Sequence, residues 1–470
     1  MEVPADAYIL PSHLSKVCLD PLGLCDVENP PVWDVIETSI HVFRSECPPP
    51  NIHQLPRLIE DLSYSIHLDG HINTQYLSHF LAERYPDPSS PLAQTTLDAI
   101  LDAALALPKL FTAHTMCHLG EGHPICELSV AQIQCILAHQ ILNTLVRPKG
   151  NNWGCGFSGW YSEPQALETA VSGYLTALFK YFAQSPIHDA TSVTYQYYSQ
   201  ASGTNLESQV DDWMKCSTIQ LFDTLTIEPV SSSGVPFPHP SAPSTLVASN
   251  KFPGFGPSCT QEELVTAACP PLLLLGAILV NPPVPSNAAL LVYGPVPLTH
   301  WQGQGREARR TGATITKHHT FLFLDAAELD TSNKIYPDLD LRCILRDLQK
   351  LYLGFTALRQ QGVMEAASPL WGAGSFGGDP FINTLILAMA SARVGLKLHL
   401  SVDKERRYSS ATSASTEKAQ HLLSLLQTLR GRNSLTIGNT VHRLRCLAKA
   451  VKTHPEGGVD IVDAFDSDVM

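Results

Sequence analysis

The chain has 470 residues, 44% of them hydrophobic and 16% charged, with a formal net charge of −13. That length and apolar share suffice for two packed domains, or three, and exclude a disordered chain apart from its edges. So large an acidic excess argues against a broad basic surface for duplex DNA, which is held through many Lys and Arg contacts to phosphate.

Residues 1–50 read as an N-terminal extension whose start, "MEVPADAYIL", lacks the positive segment and cleavage site of a secretion signal. The longest apolar run, "PPLLLLGAILV" (270–280), is too short to span a bilayer. The expected location is therefore intracellular, in nucleus or cytoplasm, with no membrane contact. Twelve scattered cysteines without a C-x-x-C spacing read as reduced and structural.

Residues 51–208 read as a helical accessory domain. Apolar positions recur at helical spacing in Leu58, Ile59 and Leu62, in Tyr76, Leu77, Phe80 and Leu81, and in Leu97, Ile100, Leu101 and Ala104. The series continues through Ile133, Ile136, Leu137 and Ile141, with Ser129 as N-cap, and through Leu167, Val171, Tyr174, Leu175, Leu178 and Phe182 after Pro164. The pattern predicts helices following one another without strands.

Residues 209–455 read as an α/β domain. Strands are predicted at 219–227, 244–249, 288–294, 320–326 and 396–402, alternating with helical stretches, which is the pattern of a sheet between helices. "PVSSSGVPFPHPSAPS" (229–244) reads as an exposed loop, and 456–470 as an acidic tail.

Two loops in that second half carry chemistry. "NKFPGFGPSCTQEEL" (250–264) joins a predicted strand to a predicted helix, where open α/β sheets place ligands, and Gly254 and Gly256 let backbone N–H groups approach an anion. The spacing Thr260-x-x-Glu263 also fits a capping box, in which Glu263 bonds back to the helix start, so structural and catalytic readings overlap there. Glu262 and Glu263 stand about 100° apart on a helix and so have different roles. In "WGAGSFGGDP" (371–380), Asp379 and Pro380 fit an N-cap and first-turn proline. A glycine-rich turn at a helix start suits phosphate, and equally a plain tight turn with Phe376 in the core. "NWGCGFSGW" (152–160) echoes this turn, by accident on this reading. No H-E-x-x-H, G-x-S-x-G or P-loop occurs, so no metal site is expected.

Taken in order, "NKFPGFG…TQEEL", "WGAGSFGGD", the helical segments 128–145 and 159–182, and the later segments 345–355 and 434–444 resemble the poly(ADP-ribose) glycohydrolase family, from about residue 50 to residue 450. The resemblance implies a macrodomain, a mixed sheet flanked by helices, behind an all-helical N-terminal accessory domain. It implies hydrolysis of the ribose-ribose bonds of poly(ADP-ribose), with ADP-ribose as product, ADP-ribosylated proteins as partners, no cofactor, and a monomer. On it, Glu263 is the general acid, Glu262 holds ribose hydroxyls, and Gln261 supports the loop. Asn250 contacts ribose, Gly254, Phe255 and Gly256 form the ligand loop, and Gly374, Ser375 and Phe376 bind diphosphate. The chain departs from the family pattern in placing Phe255 within the glycine triplet, in its short spacer "PSCT", and in Val247 and Leu370. Those departures also fit a macrodomain that binds ADP-ribose without cleaving it, and a hydrolase of an ADP-ribose–protein linkage stays open as a third reading.

Overall fold

The computed structural model describes residues 6–67, 72–148, 155–184, 192–200, 206–230, 237–239, 242–303, 308–311, 318–332, 334, 336–403, 418–430, 435–453 and 465. The expected acidic tail, apart from Phe465, lies outside them. The chain divides into two compact units: one of Met1–Gln196, Phe252–Pro283 and Val292–His318, the other of Tyr197–Lys251, Val284–Leu291 and His319–Met470.

The first unit is mainly helical. Leu55–Ile66, Gln75–Arg84, Pro91–Leu105, Val130–Ile141 and Glu168–Ala183 bury the apolar stripes read from the sequence. Leu58, Ile59 and Leu62, for example, are at most 3% exposed. Ser129 caps its helix in a reciprocal capping box with Gln132, satisfying two N–H groups that no helical carbonyl reaches. The prediction of helices without strands over 51–208 needs correction, because Ser192–Ser199 is a strand near its end, and Thr115–Cys117 and Ile125–Ser129 are short strands within it. The last two are too short to show a period, and their partners lie far off in sequence.

Eight strands form one mixed sheet: β1 (Ile125–Ser129), β2 (Ser192–Ser199), β3 (Leu225–Val230), β4 (Ser244–Ala248), β5 (Ala288–Tyr293), β6 (Thr320–Leu324), β7 (Glu365–Ser368) and β8 (Lys397–Asp403). Their spatial order is β1-β2-β5-β6-β4-β7-β8-β3. In the first unit β1 pairs antiparallel with the start of β2. In the second, β6 and β7 pair parallel with β4, and β8 pairs parallel with β7 and β3. The central strands β4 and β6 are continuous apolar runs, as expected of a parallel sheet covered on both faces. Val247, where the family pattern has an aspartate, is fully buried in β4.

The strand predicted at 219–227 begins at Leu225 and runs to Val230. The N–H of Leu221 instead donates to the Leu435 carbonyl, and the carbonyl of Ile219 accepts from Ile437, so that segment pairs away from the sheet. β7 escaped the sequence reading altogether. The helices Leu341–Gln360 and Pro380–Val394 pack on one another within this unit. Among the described residues no single helix is long and apolar enough to cross a membrane.

Candidate active site

In the first unit the chain makes a loop at 252–260 and then the helix Gln261–Ala268. Thr260 is its N-cap. Its hydroxyl accepts from the N–H of Glu263 at 3.3 Å, and its own N–H donates to Glu263 Oε2 at 3.1 Å, so the capping box is formed. Glu262 points elsewhere, as the 100° step requires: its Oε1 accepts the N–H of Gly254 at 2.8 Å. Gln261, Glu262 and Glu263 are all buried, at 7%, 7% and 3% exposure.

Burial pushes the Glu263 carboxyl above its ordinary value, against the opposing pull of the N–H groups of Thr260, Cys259 and Ser258. The Glu263 charge in turn helps to raise the Tyr174 hydroxyl and the Cys259 thiol, behind the dominant effect of burial on both.

Phe255 is 4% exposed. Its ring lies 5.2 Å from Phe157 and 5.7 Å from Trp160, which stack on each other at 4.6 Å. The cluster extends through Tyr174 to Trp301. Trp160 also donates its indole N–H to the Gly256 carbonyl at 3.3 Å. The departure from a plain glycine triplet is thus absorbed by aromatic packing within this unit. Sequence reasoning missed this support, because the stretch holding Phe157 and Trp160 was taken for an accidental echo. From the other side, a Cβ on Gly276 would come within 2.7 Å of the Pro253 carbonyl and 2.8 Å of Gly254 Cα, so only glycine lets the chain pass this closely.

The remaining predicted site residues lie in the second unit. Asn250 is half-buried just beyond the end of β4. Gly374, Ser375 and Phe376 form a turn after β7, with Ser375 exposed. The Phe376 carbonyl accepts from the N–H groups of Leu329 and Asp330 at 2.9 and 3.0 Å, and Gly377 donates to the Gly374 carbonyl at 3.0 Å. Phe376 is only half-buried, so the alternative of a core phenylalanine is not what forms. Asp379 caps the helix Pro380–Val394 through the N–H groups of Phe381 and Ile382 at 2.9 and 3.2 Å, and Gly395 ends it in the left-handed conformation. That carboxylate already occupies the helix start, so an anion at this turn must rely on the turn's own backbone. The turn is anchored in addition by Asp338, which accepts the N–H of Asp379 at 2.6 Å. Burial lifts the Asp338 carboxyl to about 6.

Residues 243–409 match a family model described as poly(ADP-ribose) glycohydrolase (PARG), macro domain fold. No curated protein matches the chain. Among solved structures, poly(ADP-ribose) glycohydrolase from Deinococcus radiodurans in complex with ADP-ribose is similar at 13% identity, with 50% of this chain and 94% of that one covered and a TM-score of 0.30. The Thermomonospora curvata glycohydrolase is similar at 14% identity, with 48% and 84% covered, also at 0.30. A likeness at these values decides nothing by itself.

Proposed function

We propose that this chain, whose residues 243–409 match the model of the poly(ADP-ribose) glycohydrolase macro domain, is a divergent member of that family that hydrolyses the ribose-ribose bonds of poly(ADP-ribose), with Glu263 as general acid and base. The observation that carries this reading is the Glu263 carboxyl, buried at the start of a helix beside the glycine loop and pushed above its ordinary value by that burial. Cleavage of a glycosidic bond passes through an oxocarbenium-like state and needs a proton on the departing oxygen. Glu263 supplies that proton, and the resulting carboxylate then takes one from the attacking water. Glu262 fixes the loop through Gly254 as the sugar hydroxyls are held. Gln261 supports the loop, Asn250 contacts ribose, and the N–H groups of the Gly374–Phe376 turn take diphosphate. ADP-ribosylated proteins that carry the polymer are the substrate's natural form on this reading.

The test is release of free ADP-ribose from purified polymer, with Glu263→Gln beside the wild type. Release by the wild type alone supports the assignment, and equal release by both overturns it. A second reading, binding without turnover, is favoured by the hydrogen bond that ties the Glu263 carboxyl to its own N-cap at 3.1 Å. Calorimetric titration with ADP-ribose showing binding, alongside no release, would select it.

A further inference from the structure

The second unit carries a basic strip made of residues that have no role assigned above. Along the helix Leu341–Gln360, Arg342, Arg346, Tyr352, Thr356 and Arg359 spread over an arc of about 140° and run about 26 Å from end to end. Arg393, from the last turn of the neighbouring helix Pro380–Val394, joins them. Its guanidinium lies 4.3 Å from the centre of the Trp213 ring and 4.7 Å from that of Tyr352. Two cavities open along this face. One, of about 420 Å³, is lined by Arg342, Arg346, Arg393, Trp213 and Tyr352. The other, of about 360 Å³, continues past Tyr352 and Arg393 to Arg359.

The charges behind the strip account for its shape. Arg346 is held by Asp325 and by Asp347, the latter at 2.6 Å, and the fully buried Lys350 reaches Asp325 at 2.5 Å. Asp212 pairs with Arg393 at 2.5 Å. Glu207 and Asp211, on the same helix as Asp212, do not line either cavity. Arg342 is exposed and forms no ion pair among the described residues. Asp325 begins the loop whose Leu329 and Asp330 hold the Phe376 carbonyl. The strip therefore starts beside the proposed diphosphate turn and runs away from it.

Guanidinium groups beside the half-exposed Tyr352 suit a linear polyanion, because phosphate takes the cations, while Trp213, 2% exposed, stays behind Arg393. A chain of net charge −13 would repel such a polymer unless a local strip offset that field. We propose that the outer face of the Leu341–Gln360 helix, from Arg342 to Arg359, is a second binding track for poly(ADP-ribose), holding the polymer beyond the unit that reaches the active site. The inference rests on the polymer being the substrate, and its ligand is the diphosphate-linked chain rather than single-stranded RNA.

The test uses the full chain carrying Glu263→Gln, with and without Arg342→Ser and Arg359→Ser together, neither arginine having a place in the proposed catalysis. Fluorescence anisotropy with poly(ADP-ribose) of defined length, and with polyadenylate RNA, is read against calorimetry with monomeric ADP-ribose. The double change is expected to weaken polymer binding about tenfold at low salt. It should also flatten the dependence of log affinity on log salt by about 1.4, the value for two lost phosphate contacts on a single strand. Monomer affinity should stay within about twofold. An unchanged polymer affinity and slope would overturn the track, as would an equal or larger loss for RNA. If the protein carrying Glu263 releases no ADP-ribose while the double change still weakens polymer binding, the track stands and the catalytic reading falls. Normal release with unchanged polymer binding sinks the track alone.

Discussion

Glu262 and Gly254, eight residues apart, are joined by a 2.8 Å hydrogen bond from the glycine N–H to the carboxylate. This contact fixes the loop to the helix that carries Glu263. Removing the acceptor strands a buried N–H, which costs about 1–3 kcal/mol. Glu262→Ala should therefore melt lower by that amount, while Glu262→Gln, which keeps an oxygen in place, should lose less than half as much. Equal melting of the two variants would mean that the tether does not matter.

The capping role of Glu263 and its proposed catalytic role separate experimentally. Both Glu263→Gln and Glu263→Ala should abolish ADP-ribose release. Only the alanine loses the reciprocal bond to the N–H of Thr260, which as part of a capping box is worth about 1 kcal/mol. Circular-dichroism melts should rank wild type and glutamine together, with alanine below. Alanine melting with the wild type would show that the cap bond does not form in solution.

Phe255 stands where a plain glycine triplet has no side chain, and its ring is packed on Phe157 and Trp160. Deleting a buried phenyl ring costs about 3–5 kcal/mol, cavity included. Phe255→Ala should lose stability on that scale in denaturant titration and should loosen the glycine loop as well. Phe255→Leu should lose roughly half as much. A Phe255→Ala protein as stable as the wild type would place that ring outside the core.

How much of this was legible depended on range. The capping box and the Asp379 N-cap are local, so a few residues specify them and the sequence reading found them. Strands such as "STLVA" and "TFLFL" were legible because a strand buried on both faces must be a continuous apolar run. β7, "EAAS", has no β-branched or aromatic residue and is a strand only because β4 and β8 flank it. The partners of Phe255 lie about a hundred residues upstream, and those of Asp325 about twenty downstream. Neither distance leaves a periodic trace. The proposed catalytic role of Glu263 rests on family resemblance, because the same four residues also spell a helix cap.

Asp338 gives a pH-dependent stability that the proposed chemistry does not. Its carboxyl is buried, accepts the N–H of Asp379, and is pushed up to about 6 from an ordinary 3.8, chiefly by burial and against that hydrogen bond. A carboxyl raised in the folded state favours the fold while protonated. That contribution is complete below about pH 4 and is lost as pH climbs through about 6. A rise from 3.8 to about 6 corresponds to on the order of 3 kcal/mol. Asp338→Asn keeps an acceptor for Asp379 and cannot ionise. The variant and the wild type should melt alike near pH 4, and the variant should gain relative stability between pH 4 and 7. Asp347, also lifted to about 6 by burial and one of the charges that raise Asp338, titrates over the same range, so the same comparison in an Asp347→Asn background separates the two. A difference that stays flat with pH would show that Asp338 remains ionised in the fold, and one that falls with pH would show that its charge holds the turn in place.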